Sequence, residues 1–307
     1  MPWIEDERSF RFAHVDVFAR RPLEGNPLAV FTDARGMTDR EMRLIAREMH
    51  LSETTFVLPR EPRVERARGV RTRIFTPDEE LPFAGHPTLG TAWVLSKGGT
   101  KDEVSLDLNV GRVAVRFSRR EGKPFGEMVQ PEPKWGQVHD AVRVAAVLGI
   151  NSDELDPDAP IETVSTGNPF AIVPLKSIGT LRELRPDLAR MDDYLRGTDA
   201  KFFYLVSRKT EDPRARLHAR MIFSAGEDPA TGSAAGPAAA WMLRHGWVEP
   251  EEQVWIEQGI EIARPSQIFV RAGGSRERPQ NIRVGGFCFG VIKGELVLPG
   301  TGSGGPR

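Results

Sequence analysis

Cysteine is almost missing from this sequence: of 307 residues only Cys288 carries a thiol. No intramolecular disulfide can form, no cysteine-rich zinc site can be built, and any mechanism that needs two facing thiols is excluded. An excess of charge of either sign is missing too. Lys and Arg number 42 against 43 Asp and Glu, so no global electrostatic reason exists to bind nucleic acid or an anionic membrane. Long apolar runs are absent: those around 28–31 and 238–243 fall far short of the roughly 20 residues of a membrane span. The first ten residues are acidic and polar with no apolar signal core, so cytoplasm is the expected compartment. No Gly-x-Gly-x-x-Gly runs from a strand into a helix ahead of an acidic residue, and there is no Walker loop.

What remains is an ordinary globular composition, 39% hydrophobic and 28% charged, and a length that suggests two domains at roughly 150 residues each. Residues 12–17 and 28–31 read as strands around a Pro/Gly turn. Residues 38–49 read as a helix, with Thr38 as N-cap and Glu41 completing a capping box. Strands are expected over 53–58 and 70–75, and helices over 89–95 and 140–148, the last ended by Gly149. The stretch 122–134, rich in Pro, Gly and charge, predicts a linker, and 302–305 a flexible tail.

The informative feature is repetition. Gly25-Asn26-Pro27-Leu28-Ala29-Val30 is echoed by Gly167-Asn168-Pro169-Phe170-Ala171-Ile172. Ile74-Phe75 is echoed by Ile222-Phe223, Pro82-Phe83-Ala84-Gly85-His86 by Pro229-Ala230-Thr231-Gly232-Ser233, and Ala92-Trp93-Val94-Leu95 by Ala240-Trp241-Met242-Leu243. Phe75 and Phe223, Pro82 and Pro229, and Trp93 and Trp241 are offset by 148, 147 and 148 positions, and the Gly-Asn-Pro words by 142. Four matches in one order argue for two copies of one unit. Duplicated units commonly face each other across a cleft, so a site built from both halves is expected.

The loops suggest its chemistry. Gly85-His86-Pro87-Thr88 and Gly232-Ser233 stand before helical stretches in corresponding positions. Two helix N-termini facing one cleft would offer free N–H groups to a carboxylate, or to a carbonyl becoming an enolate. The candidate proton carriers are Glu53 at the start of an apolar strand, His86, and Asp228 just before Pro229. Each has a plainer reading as well: an exposed carboxylate at a strand edge, a helix cap and a turn cap. A triad of Ser233, His86 and Asp228 lacks the Gly-x-Ser-x-Gly elbow. His14, His50, His139, His218 and His245 show no metal-ligand spacing.

Five motifs then resemble a known family: His14-Val15-Asp16-Val17-Phe18, Gly25-Asn26-Pro27, Leu51-Ser52-Glu53-Thr54-Thr55-Phe56, Phe83-Ala84-Gly85-His86-Pro87-Thr88 and Glu227-Asp228-Pro229-Ala230-Thr231-Gly232-Ser233-Ala234. Together they look like the PhzF family of phenazine-biosynthesis-type isomerases. The resemblance implies an α/β (α+β) fold similar to diaminopimelate epimerase. Two pseudo-symmetric halves, 10–130 and 136–283, would each wrap a barrel-like, largely antiparallel sheet around a central helix. A C-terminal strand near 284–298 would join the first half. The resemblance places the family's proton-shuttling glutamate on Glu53, its histidine, aspartate and serine on His86, Asp228 and Ser233, and its loop glycines on Gly85 and Gly232. Asn26 and Asn168 are further candidates for substrate contact. It implies no cofactor, no metal, a homodimer, and isomerisation of a small carboxylate-bearing substrate similar to trans-2,3-dihydro-3-hydroxyanthranilate. The alternatives are a non-catalytic binding protein on the same scaffold and an amino-acid epimerase or racemase.

Overall fold

The computed structural model describes residues 7–224 and 226–300; the expected tail at 302–305 lies outside them. Eight strands close into a barrel: Glu7–Val17, Asn26–Phe31, Thr54–Val57, Val70–Phe75, Glu103–Leu108, Gly111–Arg120, Lys123–Val129 and Pro279–Pro299, which returns to pair with the first. The sheet continues from that last strand through Ser266–Gly274, Val254–Gln258, Leu217–Arg220, Phe202–Ser207, Pro169–Leu175 and Glu162–Ser165 to an edge at Lys134–Val138.

The strand directions carry the duplication further than the sequence words do. From Glu7–Val17 onward, successive pairings along the barrel run antiparallel, parallel, antiparallel, parallel, antiparallel, antiparallel. From Glu162–Ser165 onward they run in the same order. In each half the second parallel connection carries a buried helix, Gly85–Leu95 in the first and Gly232–Arg244 in the second. Both helices are apolar almost all round, as a helix enclosed by sheet must be. The fold is thus mixed α/β and diaminopimelate epimerase-like, as the resemblance implied.

Local chemistry explains most boundaries. Thr38 caps the helix Asp39–Met49 through the expected box with Glu41. Asp140 caps Ala141–Leu148, and Gly149 ends it at a positive φ of 75°. Two expectations need correction. The helix expected over 89–95 begins at Gly85, because Pro87 falls in the first turn, where a missing N–H costs nothing. The expected linker at 122–134 contains the barrel strand Lys123–Val129. Met128 faces the barrel interior there and Phe125 the opposite side, against Phe269 and Phe287, and both are buried, a core contribution that the Pro, Gly and charge around them concealed.

The halves are also pinned to one another. Arg264 donates to Asp16 Oδ1 at 2.7 Å, to the Gly25 carbonyl at 3.0 Å and to the Glu24 carbonyl at 3.0 Å. Asp16 accepts the Leu23 N–H on its other oxygen at 2.7 Å. This clamp fixes the turn that delivers Asn26.

Candidate active site

The two buried helices meet at their N-termini. A Cβ added to Gly85 would stand 3.0 Å from Gly232 C and 3.1 Å from both Gly232 Cα and Ser233 N. Neither helix has a side-chain cap hydrogen bond at its N-cap, Ala84 in one and Thr231 in the other. Two sets of first-turn N–H groups and two positive dipole ends therefore converge on one place.

Glu53 is delivered to it by the strand Thr54–Val57, which lies parallel to Asn26–Phe31 with Thr54 opposite Ala29. The buried hydroxyls of Thr55 and Thr91, 2.8 Å apart, tie that strand to the Gly85–Leu95 helix. The Glu53 side chain is 15% exposed, and its Oε2 has no hydrogen-bond partner and stands 3.6 Å from His86 Nε2, equally unpartnered. His86 is bonded to the Pro27 backbone. Proline has no N–H, so the acceptor is its carbonyl and the ring is the donor. Burial pushes the His86 pKa down to about 3, so the ring is neutral and Nε2 offers a lone pair toward Glu53.

The second carboxyl comes from the other half. Asp228 Oδ1 accepts Asn26 Nδ2 at 2.7 Å, and its Oδ2 accepts the Thr231 hydroxyl at 2.7 Å. Burial raises its pKa to about 6, against the pull of these hydrogen bonds and that of Ala230. Glu53 goes higher, to about 8, through burial first and then the charge of Asp228. Two neighbouring carboxyls with pKa values driven apart are the usual signature of an acid and a base sharing one site.

Most residues singled out in the sequence gather here: Glu53, His86, Asp228, Asn26, Gly85, Gly232 and the N–H of Ser233. Asn26 reaches across to the other half, and its Oδ1 is buried without a hydrogen-bond partner. Its amide donates to Asp228 and, at 3.0 Å, to the Ala230 carbonyl, so it holds one half's aspartate from the other half. The Ser233 side chain is half-buried and makes no hydrogen bond among the described residues. Asn168 is half-buried at the matching turn, where its neighbour Gly167 faces the Phe83 ring that precedes the Gly85 turn. Sequence reading missed Gln258, which is fully buried and bonded to the Asp228 carbonyl and to Thr231. Its signal was a glutamine ending an apolar strand just before Gly259. Among the described residues no three His, Cys, Asp or Glu side chains are grouped to hold a metal ion, and no helix is long and apolar enough to cross a membrane.

A sheet wrapped on a buried helix, used twice and closed into a barrel in the first half, collects ionisable groups where the helices meet, and the chain is an isomerase on an epimerase-type scaffold. The family model "Phenazine biosynthesis-like protein" matches residues 15–294, and the chain belongs to that family, the PhzF family. It is 38% identical over 289 residues to the trans-2,3-dihydro-3-hydroxyanthranilate isomerase of Pseudomonas aeruginosa, covering 94% of this chain and 99% of the relative. The crystal structure of a PhzF-family phenazine biosynthesis protein from Bacillus anthracis superposes with a TM-score of 0.84 at 28% identity, covering 94% of this chain and 99% of the other. A hydroxyproline epimerase from Agrobacterium vitis, with a TM-score of 0.64 at 15% identity over 96% of this chain and 93% of its own, shares the fold.

Proposed function

We propose that this isomerase moves a proton between carbon atoms of a small carboxylate-bearing substrate, with Glu53 as the carrier. By likeness to its relatives the substrate is trans-2,3-dihydro-3-hydroxyanthranilate. The observation that carries the reading is the buried, unpartnered Oε2 of Glu53, beside His86 where two uncapped helix N-termini converge. A proton carrier must be able to both give and take. With a pKa of about 8, roughly one molecule in ten has Glu53 ionised at neutral pH, so both forms are at hand.

The remaining groups divide the other tasks. The N–H groups of Gly85, Gly232 and Ser233 stabilise negative charge as an enol-like transition state develops. His86 Nε2, its lone pair facing Glu53, orients the protonated carboxyl without taking its proton. Asp228, with an acceptor set, receives the substrate's ammonium or hydroxyl hydrogens, and the Ser233 hydroxyl and Asn168 amide take its remaining polar groups. The two halves, 10–130 and 136–283, each supply part of this set. We also assign the chain to a cytoplasmic homodimer, which sedimentation would check.

The test is solvent-deuterium incorporation into trans-2,3-dihydro-3-hydroxyanthranilate. The parent enzyme is expected to place deuterium on carbon during turnover, and Glu53→Gln to lose at least about 1,000-fold in rate while still binding the substrate. Full activity in Glu53→Gln removes Glu53 from the mechanism.

A further inference from the structure

Asp228 does not stand alone; a buried amide behind it determines what it is able to accept. Gln258 lies at the end of the strand Val254–Gln258 and is fully buried. Its Nε2 donates to the Asp228 carbonyl at 2.7 Å and to the Thr231 hydroxyl at 2.8 Å. Its Oε1 accepts the Thr231 N–H at 3.2 Å and the Tyr204 hydroxyl at 3.1 Å. Both hydrogens and both lone pairs of the amide are used. The orientation is unique: turned over, the amide would set its N–H against the Thr231 N–H and its oxygen against the Asp228 carbonyl.

This has a consequence one bond further on. The Thr231 hydroxyl receives a hydrogen from Gln258, so its own hydrogen goes to Asp228 Oδ2, 2.7 Å away. Asn26 Nδ2 supplies the other oxygen at 2.7 Å. Both Asp228 oxygens are thereby met by donors. We propose that Gln258 is a positioning residue which, by fixing the polarity of the Thr231 hydroxyl, holds Asp228 as an acceptor-only carboxylate.

The inference rests on Glu53 being the proton carrier, and it names the device that sets its resting state. The other ionisable groups around Asp228 do not supply that device. Glu227 is engaged by Arg220 through paired bonds of 2.9 and 2.6 Å. The Tyr204 hydroxyl is buried, its pKa raised by burial and by the Asp228 charge, and it serves Gln258 as a donor. His86 is neutral. Asp228 therefore supplies the negative charge that Glu53 faces, in agreement with the causes of its high pKa.

Ligand-free protein tests this without any substrate. The infrared band of the protonated Glu53 carboxyl, assigned by its loss in Glu53→Gln, is followed against pH in the parent and in Thr231→Val, Thr231→Ser and Gln258→Met. Thr231→Val removes the hydroxyl at nearly constant volume. Asp228 then takes up a proton more readily, and the Glu53 midpoint is expected to fall by about one pH unit, the size of one hydrogen bond to a charged group. Thr231→Ser should restore it, Gln258→Met should move it in the same direction as Thr231→Val, and the alkaline limb of the kcat profile should follow. An unmoved midpoint in folded Thr231→Val overturns the proposal, and so does a Thr231→Ser midpoint displaced as far as that of the valine variant. If Gln258→Met does not fold, the two Thr231 variants decide. A midpoint that moves in a protein showing no deuterium exchange supports the positioning role and rejects the proposed function instead.

Discussion

Gly85 and Gly232 touch backbone to backbone, and that contact joins the two halves of the molecule at the candidate site. Neither φ lies in the left-handed region, so glycine is needed at Gly85 for closeness and not for conformation. The atoms nearest a methyl group there would be main-chain atoms of Gly232 and Ser233, at 3.0 to 3.1 Å. No rotamer relieves such a clash, so the helix ends must separate.

Gly85→Ala should therefore lower kcat/KM by about 100-fold, since misplacement by a fraction of an ångström is costly where N–H groups must meet developing charge. Gly90→Ala is the control. It overpacks the same helix one turn on, where a Cβ would fall 2.7 Å from both the Leu28 and Val17 side chains, and it should cost about 1–3 kcal/mol of stability with little effect on catalysis. Equal kcat/KM losses in the two variants would show that the contact between the helix ends has no catalytic meaning.

The ion pair of Asp16 and Arg264 makes a separate prediction about how the halves are held. The Asp16 side chain is 2% exposed and that of Arg264 25%. Asp16→Ala would strand a partly buried guanidinium and the Leu23 N–H together. A loss of about 2–3 kcal/mol is expected, below the full range for a buried pair because water reaches the arginine. The urea midpoint should drop, and the rate should fall as well, because Arg264 also holds the Glu24 and Gly25 carbonyls next to Asn26, which reaches Asp228. An unchanged urea midpoint in Asp16→Ala would mean that the clamp contributes nothing to stability.

The sequence was most readable where a local signal had a local cause. Thr38 with Glu41, and Asp140 with Gly149, set helix ends through bonds within one turn. The echo of Trp93 in Trp241 and of Gly85 in Gly232 carried the duplication, because both copies solve the same packing problem around a buried helix. The linker reading failed at 122–134, where composition suggests exposure but alternate residues face the barrel core. Gln258 and the Pro27 carbonyl were illegible for another reason. Gln258 gains its role from Tyr204, Asp228 and Thr231, and Pro27 from His86; these partners lie 27 to 59 positions away. Asn26 was singled out as a residue, but its contact with Asp228 spans 202 positions and only the fold could supply it.

Glu53 makes a prediction about stability that needs no substrate. Its carboxyl has an ordinary pKa of 4.5, and folding raises it to about 8 through burial and the Asp228 charge. Between those values the folded chain holds a proton that the unfolded chain has released. The unfolding free energy therefore falls as pH rises through that window: the contribution is complete below 4.5, is lost as pH passes through about 8, and changes no further above it. Asp228, raised from 3.8 to about 6, adds a slope of the same sign over its own lower window. Glutamine cannot ionise, so Glu53→Gln should lack the Glu53 part of the slope, which is at most about 1.4 kcal/mol per pH unit. Urea unfolding at about pH 5, 7 and 9 would measure it. The stability of Glu53→Gln relative to the parent should grow from the first pH to the last, even as its activity is lost. Parallel stability curves for the two proteins would mean that Glu53 keeps an ordinary carboxylate pKa in the folded chain, and that burial and the Asp228 charge do not hold its proton at neutral pH.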